Sequence, residues 1–202
     1  MTLVRRELIR AGEAGYPGRD GWSFRHSLIR DVAYGSIPKW RRAELHERVA
    51  ARAVDRGPDG DVSAGFHLDR AVRARREAGE SGPAVDALAA RAADHLRRAG
   101  LTAFHRMDMA AAASLLGRAN KLLPSDAPER AELLLKLGDA LGWIGERDAS
   151  RDLLAETHRI AEERGDARLA ARATLAMGLT MLATEAAIPP VQMLHDAEAR
   201  TC

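Results

Sequence analysis

A chain of 202 residues with 46% hydrophobic side chains can bury one substantial core or two small ones, and it is too apolar to stay disordered. Aromatics make up only 4%, so alanine and leucine must fill the core, which suits close-packed helices better than a sheet. The one cysteine, Cys202, excludes an intrachain disulfide, no apolar run reaches the ~18–20 residues of a bilayer span, and the opening MTLVRRELIRAGEAG has no apolar secretory stretch; a cytoplasmic protein is expected.

The formal net charge of +2 is unevenly placed: residues 1–106 carry 20 Lys and Arg against 14 Asp and Glu, and residues 107–202 carry 11 against 15. A basic front half suits nucleic acid or an acidic partner face. Lysine stands only at Lys39, Lys121 and Lys136, and an arginine bias of this kind also suits a GC-rich genome, where arginine fills solvated faces.

Residues 1–24 are the only β-like part. Residues 3–10 read as the end of a helix or a short strand, and AGEAGYPGRDG, rich in glycine with Pro17, as a loop or hairpin tip. Trp22, Phe24 and His26 then alternate with Ser23 and Arg25, a period-2 signal. Two strands around such a tip have the shape of a wing in a winged-helix domain.

Leu28, Ile29, Val32, Ala33 and Ile37 recur at helical spacing over about 26–37, and Pro38 ends that helix. Leu45, Val49, Ala50 and Ala53 mark a second helix over about 41–54. Leu28, Ile29, Val32 and Leu45 are expected to hold the wing to the helical tail. GPDGD (57–61) is a turn. A third helix over 62–78 places Phe66, Leu68, Ala71 and Val72 inward and Arg70, Arg73, Arg75 and Arg76 mostly outward. GESGP (79–83) is the strongest boundary. The chain thus divides into a wing plus helix (1–37), a helical connector (38–82) and a helical tail (83–202).

The tail reads as helices at about 84–104, 108–123, 127–143, 147–164, 166–185 and 190–200. A period in the mid-thirties is the mark of tetratricopeptide-type repeats. Leu96, Gly100, Ala112, Leu116, Ala119 and Pro124 fall at the consensus offsets of one unit. Leu134, Leu137, Gly138, Leu141, Gly145, Ser150 and Leu154 do so in a second, and a third is expected from Ala167, with Ala176, Met177 and Gly178. Small residues (Gly100, Gly138, Ala112, Ser150) let the helices of a unit approach, and large ones (Leu116, Leu141, Leu154) are expected to fill between units. A generic array of helical hairpins gives a similar pattern. The expected fold is all-α: an α-helical solenoid of tetratricopeptide-like pairs after a winged-helix-like hairpin and connector helices.

The sequence has no GxxxxGK[ST], no GxGxxG opening a helix, no HExxH, no CxxC and no GxSxG. The seven histidines (His26, His46, His67, His95, His105, His158, His195) show no metal-ligand spacing on one face, and His26 and His46 are read as structural. No catalytic residue, cofactor or metal is expected. The paired arginines, Arg41/Arg42 and Arg97/Arg98 among them, suit phosphate contacts. Trp40 and Trp143 are read as packing anchors.

These segments together resemble a known family. LVRRELIR, WSFRHSLIRDVAYGSIPKWRRAELHERVA, GFHLDRAVRARREAG and RANKLLPSDAPERAELLLKLGDALG follow the order found in large bacterial AAA/NACHT-like signal-transduction ATPases of the adenylate/guanylate cyclase-like or transcriptional-regulator type. The resemblance runs to about Ala173. It implies a cyclase-type or DNA-binding module, then a P-loop ATPase, ahead of a winged-helix segment and tetratricopeptide repeats. Met1 falls inside the winged-helix segment and Cys202 inside the array, so a C-terminal piece is expected, with no catalytic position to carry over.

The expected function is a non-catalytic interaction and sensor module. Its repeats would bind a protein or small-molecule inducer, or an ATPase core in cis or in trans, with Arg97, Arg98, His105, Arg41 and Arg42 as the candidate surface. Its exposed ends would favour self-association. The alternative is a nucleic-acid-binding regulator using the basic N-terminal half.

Overall fold

The computed structural model describes residues 8–13, 20–54 and 60–185, and it is all-α apart from one hairpin. Strands β1 (Ile9–Glu13) and β2 (Asp20–Phe24) pair antiparallel, with Ile9 opposite Phe24 and Glu13 opposite Asp20. The hairpin lies where the sequence places a wing, but β1 takes in Ala11, Gly12 and Glu13, which the glycine content assigns to the tip. The predicted helix over 190–200 lies outside the described residues.

Helices α1 (Ser27–Ser36) and α2 (Lys39–Val54) meet at Pro38, as its missing N–H and fixed φ require. They are followed by α3 (Asp61–Glu77), α4 (Pro83–His105), α5 (Met109–Leu122), α6 (Arg130–Trp143), α7 (Arg147–Glu163) and α8 (Ala167–Glu185). From α2 onward each helix packs on the next, and α4 also touches α6, as α6 touches α8. No described helix is long and apolar enough to cross a membrane.

The helix ends follow local chemistry. Pro83 opens α4, where a missing N–H costs nothing. Asp108 accepts from Ala111 N at the start of α5, and Asp166 from Leu169 N at the start of α8. Helices α3, α4, α6 and α7 close with the same 6→1 bond: Glu80 N to Arg75 O, Asp108 N to Ala103 O, Glu146 N to Leu141 O and Asp166 N to Ala161 O. The residue before each of these donors has positive φ. It is glycine at Gly79, Gly145 and Gly165, and Met107 in the fourth case.

The core is built from alanine and leucine, as the composition requires. Ala43, Leu68, Val72, Leu96, Ala112, Leu116 and Leu133 belong to one buried cluster running from α2 to α6. Leu134, Leu154, Ile160, Leu169 and Ala173 form a second from α6 to α8, and Leu153 touches both. Each fully buried leucine contributes about 2 kcal/mol. The turn at 79–82 lies where the sequence suggests a boundary, yet the first cluster passes straight across it.

One close contact recurs three times. A methyl placed on Gly65, Gly100 or Gly138 would lie 2.8 Å from the Cγ of Leu96, Leu116 or Leu154, respectively. Leu116 on α5 therefore packs on α4 and Leu154 on α7 packs on α6, so each meets the other helix of the unit to which the sequence assigns it. Ser150 lies there too, its hydroxyl donating to Gly138 O at 2.8 Å.

The join between α1 and α2 differs from expectation. Leu28 and Val32 are 73% and 67% exposed and α1 buries no residue, so its apolar face does not hold the hairpin to the rest. Polar contacts fix the corner instead. Arg42 donates to Ile37 O and Gly35 O, its guanidinium lies 4.9 Å from the Tyr34 ring centre, and Tyr34 Oη bonds His46 Nε2 at 2.9 Å. Trp40 and Trp143, expected as anchors, are largely exposed.

Candidate interaction surface

Two faces follow from the helix order. The first belongs to α4, α6 and α8, which touch in succession. Arg172 on α8 donates to Glu132 on α6 at 2.5 Å, and Lys136 Nζ lies 4.5 Å from the ring centre of Phe104 on α4. Burial raises the Asp139 carboxyl above its ordinary value, against the opposing pull of Lys136 and Arg172. One ion pair thus ties α8 to α6, and one cation–π contact ties α6 to α4.

The second face belongs to α3 and α5. Arg118 on α5 reaches over to α3 and donates Nε and Nη2 to Asp69 Oδ2 at 3.0 and 2.6 Å. Its guanidinium also lies 5.1 Å from the Phe66 ring centre, with Arg70 at 5.5 Å. Phe66, expected inward, is instead 38% exposed and covered by these two cations. Beside this pin runs a groove of about 510 Å³, lined by Asp69, Val72, Arg73, Arg76 and Glu77 on α3 and by Arg118, Lys121 and Leu122 on α5. Val72 and Leu122 are buried and form its apolar floor.

The residues singled out from the sequence do not gather into one patch. Arg41 pairs with Glu44 at 2.5 Å, and Arg42 is engaged in the α1–α2 corner. Arg97 pairs with Asp94 at 2.9 Å and stays partly open, beside a small pocket that it lines with Asp94, Leu123 and Glu129. Arg98 binds Asp61 and Asp94, each at 2.8 Å, and so braces α4 against α3. His105 is exposed, edge-on to Phe104. His26 stands at the N-cap of α1 without a side-chain capping bond.

Two polar clusters escape a reading based on local spacing. Asp61 and His95 are buried together, with His95 Nδ1 2.7 Å from Asp61 Oδ1. Burial pushes the Asp61 carboxyl up, but hydrogen bonds from Arg98 and His95 outweigh it, and its pKa falls below the ordinary carboxylate value. His46 Nδ1 and His67 Nδ1 lie 2.8 Å apart, joining α2 to α3. Burial, aided by His67 and Arg70, lowers His46 to about 4, and burial with Arg70 lowers His67 too. Among the described residues no group of three or more His, Cys, Asp or Glu is placed to hold a metal ion.

Comparison with protein-family models, with curated proteins and with solved structures gives no match.

Proposed function

We propose that this chain is a non-catalytic interaction module: a solenoid of tetratricopeptide-like helix pairs that captures a protein partner. The observation that carries this reading is the thrice-repeated glycine–leucine contact, at Gly65–Leu96, Gly100–Leu116 and Gly138–Leu154. Gly100–Leu116 and Gly138–Leu154 each join the two helices of one pair, and Gly65–Leu96 joins α3 to α4, so the same close approach recurs between successive helices along the array. Alternate helices then share a face, and such a face is a ready binding surface. The touching series α4, α6, α8 fits the first helices of successive units, and α5 and α7 fit the second.

The resemblance to signal-transduction ATPases adds a role for such capture. The repeats would sense a partner or inducer, and the α1–α2 corner would pass the event to an ATPase core in cis or in trans. The output would be signalling or transcription.

Arg97 is the test position, because it is partly open and sits on α4 beside a pocket. Partner capture from the native cell extract by the purified chain should weaken in Arg97→Glu while the helical circular dichroism is unchanged. Capture undiminished both in that variant and in Lys121→Glu, on the α3–α5 side, contradicts the reading, as does ATP hydrolysis or cyclase activity by the pure chain. The basic front half favours a second reading as a nucleic-acid binder. A DNA titration over a salt series tests it, because phosphate contacts give an affinity that falls steeply with salt. No affinity at low salt eliminates it.

A further inference from the structure

We infer that the α3–α5 groove binds a short acidic peptide segment of a partner protein, an assignment that rests on the interaction-module reading and gives it a ligand chemistry. The groove carries four cations, Arg73, Arg76, Arg118 and Lys121. Arg118 is committed to Asp69. Arg73, Arg76 and Lys121 are exposed and make no hydrogen bond or ion pair among the described residues. Three cations therefore converge on one depression in which Glu77 is the one carboxylate not taken up by Arg118, so the groove carries a net positive charge that favours an incoming anion.

The geometry selects the kind of anion. Arg73 and Arg76 lie three residues apart on one helix, so they share a face within about 5 Å of rise. Lys121 faces them from α5, across the buried side chains of Val72 and Leu122. This footprint suits two or three carboxylates flanking an apolar side chain. It is too short for the run of phosphates that a nucleic acid offers, and Glu77 on the same wall would repel a continuous polyanion while accepting a peptide N–H. The walls are already fixed by the Asp69–Arg118 pair and the Phe66 stack, so little ordering is needed on binding. The volume of about 510 Å³ is in the range of ligand clefts.

The test uses the full chain and a fluorescent Asp/Glu-rich peptide containing one leucine, followed by anisotropy. Inorganic phosphate, duplex DNA and a Lys-rich peptide serve as comparison ligands. Arg73→Ala, Arg76→Ala and Lys121→Ala should each weaken acidic-peptide binding by roughly two- to fivefold, and the triple variant by about tenfold or more. Arg168→Ala, on exposed α8 surface, should leave it unchanged, and the Lys-rich peptide should not bind. Full affinity in the triple variant, an equal loss in Arg168→Ala, or equally tight binding of phosphate or duplex DNA overturns the assignment. If the acidic peptide fails to bind while Arg97→Glu still loses the partner, the groove assignment falls and the interaction-module reading stands.

Discussion

Arg118 and Asp69 form a 2.6 Å ion pair between residues 49 positions apart, and this pair closes α5 onto α3 across the intervening helix. The Asp69 carboxylate is mostly buried, so the bond is shielded better than an open surface pair. Asp69→Ala should cost about 1 kcal/mol by chemical denaturation. Arg118→Ala should cost more, because it also uncovers the Phe66 ring. The double variant should be less destabilised than the sum of the two. Strict additivity in that cycle would mean that the pair carries no coupling.

Gly65, Gly100 and Gly138 should each resist alanine, although alanine is the better helix former. Overpacking of about 1–3 kcal/mol outweighs the gain of up to about 1 kcal/mol in propensity. The loss should be largest at Gly65, where the added carbon also meets the Leu96 backbone nitrogen at 3.0 Å. Gly178→Ala is the counterpart, since nothing lies within 4 Å of its added carbon, and it should stabilise the chain. Thermal midpoints of the four variants decide the matter, and a gain at Gly138 would refute the close-contact account.

Met107 occupies a left-handed position (φ 62°) at a helix end where three sister helices place glycine. Met107→Gly should raise stability by about 0.5 kcal/mol, the relief of strain exceeding the entropy that glycine adds to the unfolded chain. A lower thermal midpoint in this variant would contradict the prediction.

The His46–His67 contact makes stability depend on pH. One proton serves the Nδ1–Nδ1 bond, and charging both rings would set N–H against N–H. Folding lowers His46 to about 4 from 6.5 and moves His67 the same way. The unfolded chain therefore binds more protons between those values. Stability should be complete above about pH 6.5 and should fall as the pH drops toward 4, by about 1 kcal/mol once the half-solvated position of the rings is allowed for. Arg70, Arg30 and Asp31 line the same pocket with Tyr34. Denaturation midpoints across this window check the claim, and His46→Gln should flatten the slope. An unchanged slope in that variant would remove the pair as its origin.

The sequence-based reading succeeds where structure is local. Pro38 marks the α1–α2 corner, the glycines and prolines mark the helix ends, and Leu96, Leu116, Leu134 and Leu154 are buried as their spacing suggests. It falls short where contacts are distant. Asp61 meets His95 34 residues on, and His46 meets His67 21 residues on, with no periodic signal to announce either. Phe66 lies at the border of an apolar stripe, and only the fold shows that Arg70 and Arg118 cover it. The face of α1 makes the same point: periodicity identifies Leu28 and Val32 as one apolar side but not what packs there. The groove cations that make no ion pair among the described residues belong to two helices separated by a third, so their convergence is a property of the packing alone.

Site-specific photo-crosslinking in the native cell tests the central claim most directly. A photoreactive side chain replaces, one at a time, Arg97 and Lys136 on the α4–α6 side, Arg73 and Lys121 in the α3–α5 groove, and Arg159 on the exposed surface of α7. An interaction module predicts one discrete protein adduct, formed at positions on one or both shared faces and absent at Arg159. No adduct at any face position, or adducts of equal yield at Arg159, would contradict it.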